Sequence, residues 1–348
     1  MHAVTVVPGR KDSVELTDVP EPPAGDGPVL VETLAVGICG TDLEIVAGEY
    51  GRAPEGEERL VLGHESLGRV VEAPDGSGLA RDDLVVGIVR RADPLPCPNC
   101  AAGELDMCRN DRYTERGITA RHGYASERYR IHPEHAVKVD TALGRLGVLL
   151  EPASVVAKAW EHVERIGARA HWSPTTALVV GAGPIGLLAA MLAVQRGLDT
   201  HVLDRVTGGL KPRLVSDLGA TYHAGSIADT GLVPDVIVEC TGVPQLVLDA
   251  VSHNGPLGIV CLTGVSSGGR QIGVDAGLLS RTMVLENDVV FGSVNANRRH
   301  YRHAADALLA ADPDWLDGLV TRRVPLSAWR EAYTRSPDDV KAVLEFAS

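Results

Sequence analysis

The sequence predicts an α/β protein in which a strand-rich amino-terminal part precedes a doubly wound parallel sheet. Three observations carry this. Residues 1–140 hold short β-branched segments separated by Gly-, Pro- and Asp-rich joints. From about Leu146 the periodicity changes, and strand-like and helix-like segments alternate, the pattern of a parallel sheet covered by helices on both faces. Within the second regime lies Leu178-Val179-Val180-Gly181-Ala182-Gly183-Pro184-Ile185-Gly186-Leu187-Leu188-Ala189-Ala190, an apolar strand that runs through Gly-x-Gly-x-x-Gly into a small-residue helix. With 348 residues the chain is long enough for two domains, each with its own core.

In chain order, strands are expected at Val4–Val7, Val29–Val36, Leu67–Glu72, Leu84–Val89 and Ala136–Val139. The stretch from Val19 to Pro28 carries four prolines and two glycines and reads as a surface loop. Glu151 through Val163 has the spacing of an amphipathic helix. The strands of the parallel sheet are expected at 177–181, 200–204, Asp235–Glu239, Ile259–Thr263 and Val289–Gly292. The end reads as helical over Arg298–Leu309 and Leu326–Phe346, with one short β-segment at Leu319–Val324.

Each glycine of the central motif has a physical task. Gly181 permits the tight strand-to-helix turn, Gly183 lets backbone approach a pyrophosphate, and Gly186 lets the helix pack close to the sheet. The helix start, with Pro184 and Ile185, then offers amides and the positive end of the helix dipole to an anion. The next strand ends in Asp204, and 204 − 181 = 23, the offset of a carboxylate that binds ribose hydroxyls. This is a dinucleotide site. Asp204 favours NAD, because the additional phosphate of NADP would face its charge, while Arg205 is shaped to fork a phosphate and keeps NADP allowed.

Composition excludes several partners. Lys+Arg 33 against Asp+Glu 46 gives a net charge of −13, which argues against nucleic acid and an anionic membrane surface. The start, Met1 to Pro8, is too soon broken for a signal peptide, and the uncharged run Ala177–Val194 is divided by its glycine-proline turn into strand and helix, so no membrane segment is expected. Six cysteines, three of them at metal-like spacing, fit a reducing cytoplasm better than a disulfide scaffold.

Three groups in the strand-rich part have the chemistry of metal ligands. Cys39 sits on the glycine-framed loop Gly37-Ile38-Cys39-Gly40-Thr41-Asp42, His64 and Glu65 stand side by side 25 residues later, and Glu151 opens the first long helix. Thiolate, imidazole and carboxylate suit zinc, and a set that leaves one position to water or substrate is catalytic. Cys-Gly-Thr-Asp, then Gly-His-Glu, then a cysteine lobe, then Gly-x-Gly-x-x-Gly resembles the zinc-dependent medium-chain dehydrogenase superfamily over essentially the full chain. Within it, Gly37–Ile45, Arg90-Arg91, Tyr113-Thr114-Glu115-Arg116-Gly117-Ile118 and His122-Gly123 are similar to the microbial glucose (aldose) 1-dehydrogenases.

The resemblance implies a GroES-like β-barrel catalytic domain over 1–154, with 293–348 returning to it, and a Rossmann NAD(P)-binding domain over 155–292. It places the active site between the domains, implies a homodimer or homotetramer, and matches Cys39 and His64 to zinc ligands. Glu65 and Glu151 match carboxylates that reach the metal directly, through water or in alternation. Asp42 matches a carboxylate that orients the ligating imidazole, and Thr41 the hydroxyl that bonds the reacting alcohol. A histidine that continues the proton relay in many relatives is here Glu44. Glu115 and Asn295 match sugar-binding positions. Further cofactor contacts are expected at Thr241, Gly242, Thr263, Val265 and Asn295.

In the lobe, Cys97, Cys100 and Cys108 fit the last three positions of a four-cysteine structural zinc site. The first falls on Pro94, so Asp93, or Asp111 after the last cysteine, is expected to complete the tetrahedron. Val89 and Leu285 stand where relatives carry polar sugar contacts, which implies fewer hydroxyl contacts. The expected activity is hydride transfer between a sugar or polyol hydroxyl, aldose C1–OH to lactone first, and NAD(P), without nucleic acid or membrane. A zinc alcohol dehydrogenase acting on a cyclitol, deoxy sugar or other non-sugar alcohol is the alternative. A catalytically silent nucleotide-binding protein is a third reading, against which the intact Cys39, His64, Glu151 and Thr41 set argues.

Overall fold

The structure, a computed structural model, describes residues 1–266, 271–336 and 339–346. The chain divides into two compact units, Met1–Ser154 with Asn295–Ser348, and Val155–Val294.

The first unit is strand-rich. Its central sheet runs in the order Ala136–Lys138, Leu84–Gly87, Glu65–Glu72, Val29–Ile38, Ala342–Glu345 and Arg322–Pro325, with Arg128–Ile131 also paired to Val29–Ile38. The ten-residue strand Val29–Ile38 buries alternate residues over its first half and every residue over its last four, because its end lies inside the unit. Two three-stranded sheets complete the unit. His2–Val6 lies between Glu15–Asp18 and Leu60–Val61, and Thr114–Arg116 between Arg90–Arg91 and Ala120–Arg121. The core gathers Val31, Val36, Leu62, Tyr124, Tyr129 and Trp329 among others, each large apolar side chain contributing roughly 1.5–3 kcal/mol by leaving water.

The expectation of a helix over Leu326–Phe346 is corrected. One 3-10 turn, Leu326–Ala328, and one helical turn, Trp329–Ala332, are followed by the strand Ala342–Glu345; Pro337 and Asp338 lie outside the described residues. The strand pairs antiparallel with Val29–Ile38 and parallel with Arg322–Pro325. One partner, Val29–Ile38, lies some 300 residues away, and local periodicity does not contain it. The β-segment expected at Leu319–Val324 is likewise displaced to Arg322–Pro325. The helix Pro313–Leu319, started by Pro313 and the Asp312 cap, takes up its first residue.

The second unit holds six parallel strands in the order Thr221–His223, Asp199–Leu203, Thr176–Val180, Val236–Glu239, Ile259–Leu262 and Val289–Gly292. Strand order reverses at Thr176–Val180, and the carboxyl ends beside that reversal are where ligands bind in such sheets. The helix Pro184–Gln195 is buried continuously from Gly186 to Ala193, as its apolar composition on every side demands. No helix among the described residues is long and apolar enough to cross a membrane.

The glycines of the turn separate packing from ligand access. A Cβ at Gly186 would lie 1.7 Å from the Gly181 carbonyl oxygen, whereas a Cβ at Gly183 would meet nothing within 4 Å. Gly186→Ala is therefore expected to lower stability by roughly 1–3 kcal/mol. Gly183→Ala is expected to leave the melting temperature unchanged while weakening dinucleotide binding. Thermal unfolding and a nucleotide titration of the two variants check this, and a stable, nucleotide-binding Gly186→Ala protein would contradict it.

Candidate active site and metal centres

Cys39 caps the short helix Gly40–Val46, and Asp42 in its first turn closes the cap by accepting the Cys39 N–H on Oδ2 at 2.9 Å. The other oxygen, Oδ1, stands 3.4 Å from His64 Nδ1. Asp42 is fully buried. One carboxylate thus fixes the backbone of the thiol and the ring of the imidazole. Burial is the largest single influence and would lower the His64 pKa, but the charge and hydrogen bond of Asp42 together with Cys39 outweigh it and hold the imidazole well above its usual range. With Nδ1 turned to Asp42, Nε2 is left for a metal. Thr41 lies half-buried two residues after Cys39 on the same turn.

Ligand atoms of Cys39, His64 and Glu65 lie within 4.8 Å of one another. Glu65 opens the strand Glu65–Glu72 opposite Gly37, and both residues are held in register by the central sheet. One thiolate, one imidazole and one carboxylate, all converging, with Asp42 Oδ1 and His64 Nδ1 lacking full hydrogen bonds, fit zinc at a catalytic site. Glu151, at the start of the helix Leu150–Gly167, is not one of the three. It is buried close by, and burial first, then Glu65 and Asp42, push its carboxyl up to about 8 against the pull of His64 and Lys341.

Glu115 and Asn295, expected to meet substrate, are brought together. Glu115 Oε1 accepts Arg90 Nε at 3.1 Å, Arg90 Nη2 at 2.9 Å and Asn295 Nδ2 at 2.8 Å. All three donors converge on one oxygen, which leaves Oε2 to a ligand. Arg90 lies over the Tyr113 ring at 3.7 Å and donates to the Asp106 carbonyl, so it is held from both sides. Nearby Asn297 donates to Asp106 Oδ1 at 2.8 Å and anchors the segment that carries Asn295. Val89 is 1% exposed within the hydrophobic core, and Leu285 is 66% exposed on the helix Ala276–Glu286. Val89 is therefore a packing residue and gives no support to a substrate poor in hydroxyls.

In the lobe, Cys97, Cys100 and Cys108 converge within 4.8 Å, and Cys97 Sγ and Cys100 Sγ are 3.7 Å apart. Backbone N–H groups of Cys100 and Arg109 aim at Cys97 and lower its thiol to about 7, while burial raises Cys100 to about 11. Asp93, expected to complete this set, is not grouped with the three thiols. Its Oδ1 accepts the Leu95 N–H at 2.8 Å, and its Oδ2 accepts Asn110 Nδ2 at 2.9 Å and Arg112 Nε at 3.0 Å. Both oxygens are engaged in holding the lobe, and among the described residues no fourth His, Cys, Asp or Glu joins the three thiols. Asp111 is exposed with φ 55 and does not join either.

In the second unit, Gly181 has φ 103 and Gly183 caps the helix with Pro184, Ile185 and Gly186 in its first turn. Asp204 Oδ2 accepts the Ala182 N–H at 2.7 Å and lies 3.3 Å from Lys211 Nζ, and Oδ1 accepts the Val206 N–H at 3.2 Å. Burial would raise its pKa, but the Ala182 amide and Lys211 bring it below the ordinary value. Arg205 is exposed. Thr241 and Gly242 donate backbone N–H groups to the fully buried Glu239 carboxylate, and Thr263 donates N–H and hydroxyl to the Glu239 carbonyl at 2.8 and 2.9 Å. Val265 is exposed beside them, its carbonyl 2.5 Å from where a Gly242 Cβ would be.

Sequence reasoning missed two residues. Glu239 organises both loops, and its signal was an acid ending an otherwise apolar strand. Lys341, beside Glu65, carries no sequence signal, because its segment reads as a helix, where a lysine belongs to the solvated face.

A GroES-type metal unit joined to a Rossmann unit defines a metal-dependent dehydrogenase that uses a nicotinamide dinucleotide. Residues 25–141 match the alcohol dehydrogenase GroES-like domain, and residues 144–346 match the family described as glucose dehydrogenase C-terminus. The chain is 42% identical over 351 residues to glucose 1-dehydrogenase 2 of Vulcanisaeta moutnovskia, with 99% of each chain covered. It is 39% identical over 359 residues to glucose 1-dehydrogenase of Methanocella arvoryzae, with both covered completely. The structure of Haloferax mediterranei glucose dehydrogenase in complex with NADP, Zn and gluconolactone is similar over the whole of both chains, with 34% identity and a TM-score of 0.93. The chain belongs to the glucose dehydrogenase family of zinc-dependent medium-chain dehydrogenases.

The buried centre makes stability depend on pH when no metal balances it. Glu151 has a folded pKa of about 8 against an ordinary 4.5, so the folded protein holds a proton that the unfolded chain releases. His64, raised as well, acts in the same sense. The stabilisation is complete below about pH 4.5 and is lost as pH rises through 8. Metal-stripped protein is expected to melt at progressively lower temperature between pH 5 and pH 8.5 (~1.4 kcal/mol per pKa unit at most), and Glu151→Gln to flatten the decline. Melting curves at several pH values check this, and a rise of stability with pH would contradict it.

Proposed function

We propose that the protein oxidises the C1 hydroxyl of an aldose to the lactone, giving the hydride to NAD or NADP. The observation that carries this is the pairing of a Cys39–His64–Glu65 metal group with Glu115 and Asn295 in the same unit, held ready for sugar hydroxyls. Zinc in that group lowers the pKa of a bound hydroxyl so that it ionises near neutral pH. Asp42 keeps the thiol and imidazole in place, and Glu115 Oε2 with the Asn295 side chain orients the ring through its hydroxyls. Thr41 receives the C1 hydroxyl proton and passes it outward, with Glu44 in place of the relay histidine of other relatives. C1 loses hydride to the nicotinamide and the C1–O bond becomes the lactone carbonyl. Glu151 serves the same centre as a buried proton-holding group. Gly181, Gly183 and Gly186 admit the pyrophosphate, and Thr241, Gly242, Thr263 and Val265 border the nicotinamide half. A second zinc on Cys97, Cys100 and Cys108, with a non-protein fourth ligand, stiffens the lobe.

We further propose that both dinucleotides are accepted, NAD in preference. Asp204 supplies the ribose acceptor, while Arg205 and Lys211 bring positive charge to the same corner and make room for the phosphate of NADP. A homodimer or homotetramer is supported by the outer strand Val289–Gly292 and by Val274, Leu278, Val284 and Leu285, all exposed on or beside the helix Ala276–Glu286. None of the six cysteines forms a disulfide, which suits the cytoplasm.

A panel of aldoses, cyclitols and simple secondary alcohols, each with NAD and NADP, tests the substrate class. Aldoses are expected to lead by an order of magnitude or more in kcat/KM, about 1.4 kcal/mol per tenfold. A simple secondary alcohol preferred to every aldose would overturn the reading. Cys39→Ser and His64→Ala are expected to lose activity by orders of magnitude together with one zinc, while Cys100→Ser loses the other zinc alone. On the cofactor, Asp204→Asn is expected to shift kcat/KM toward NADP and Lys211→Met toward NAD. A wild-type protein favouring NADP tenfold would show that the cations prevail.

A further inference from the structure

The strand Ala342–Glu345 brings to the metal centre a lysine for which the chemistry above has no use. Lys341 is 1% exposed. Its ammonium donates to the Ile38 carbonyl at 3.0 Å, the peptide immediately before Cys39, and ion-pairs with Glu65 Oε2. Space for the pair is cleared on purpose. Gly37 faces Glu65 across the sheet, and a Cβ there would lie 2.1 Å from Glu65 Oε2 and 2.9 Å from Lys341 Cε. Gly37 is not among the glycines with positive φ, so its backbone conformation does not demand glycine. The ion pair does.

Glu65 therefore answers to two cations, as one of the three ligands with Cys39 and His64 and as the partner of Lys341. A buried ammonium beside a divalent ion is costly, and an apolar residue would fill the volume at less expense to metal binding. A lysine kept there has a task that an apolar residue cannot perform.

We propose that Lys341 is a positioning residue that draws the Glu65 carboxylate off the metal, keeping the position it would fill open to substrate. The proposal rests on the zinc reading of the Cys39 centre. Without the lysine, Glu65 is a buried carboxylate whose remaining strong partner is the metal. Zinc is then held more tightly, turnover falls, and the metal-free protein becomes less stable.

The test is the rate at which zinc passes to an excess of chelator, followed for the ion whose release is absent in His64→Ala. Lys341→Met is expected to slow this release about tenfold or more, and Lys341→Gln, which keeps a donor toward Ile38, to slow it in the same direction. In a Glu65→Gln background the Lys341→Met change is expected to slow release less than about threefold, because the competing carboxylate is gone. Release as fast as wild type in both lysine variants, or the same slowing with and without the Glu65 carboxylate, would overturn the proposal. Should Lys341→Met not fold, Lys341→Gln decides alone. Wild-type protein that binds no zinc at this centre would instead overturn the reading on which the proposal rests.

Discussion

The metal unit depends on one buried carboxylate. Asp42 accepts the Cys39 N–H and stands against His64 Nδ1, so two ligands that are 25 residues apart in sequence share one fixed point. The arrangement concentrates negative charge away from water. Asp42, Glu65 and Glu151 lie together with the Cys39 thiol, balanced by His64 and Lys341. Burial lowers the affinity of Lys341 for its proton, but Glu65 and then Cys39 more than restore it. Such a centre stores charge that a divalent ion satisfies, and the sheet supplies the rigidity that holds it. Both Glu65 and Lys341 flank the end of Val29–Ile38, the strand that pairs with Glu65–Glu72, Arg128–Ile131 and Ala342–Glu345.

The second unit solves a different problem, the approach of backbone to an anion. Gly186 is needed by the protein itself, since its hydrogen atom is all that fits under the Gly181 carbonyl. A Cβ at Gly183 would meet no protein atom within 4 Å, so the packing of the protein does not demand glycine there. Asp204 ties the loop to the neighbouring strand through the Ala182 amide, so the residue proposed to read the ribose also shapes the turn. Glu239 does the same for the loops on the other side of the sheet reversal.

Much of this was legible in the sequence where the signal is local. The parallel strands follow from apolar runs between glycine joints, and Cys39, Asp42, His64 and Glu65 stand out because their residue types sit in short glycine-framed segments. What escaped depends on distant pairing. Lys341 immediately precedes a four-residue strand, Ala342–Glu345, that exists only between two others, and a short apolar run carries no period that separates strand from helix. Asp93 was a plausible ligand by spacing, and only the positions of Asn110 and Arg112 show its oxygens already engaged. Val89, similarly, could be assigned to the core rather than to a substrate wall only once its neighbours were in place.

The central claim is that the centre formed by Cys39 and His64, with Glu65 beside them, holds zinc by one sulfur and lighter atoms. X-ray absorption at the zinc edge on the Cys100→Ser variant, whose lobe no longer holds metal, examines that set directly. The account predicts one sulfur at about 2.3 Å and two or three nitrogen or oxygen ligands at about 2.0–2.2 Å. A shell with two or more sulfurs, or one with none, would contradict it.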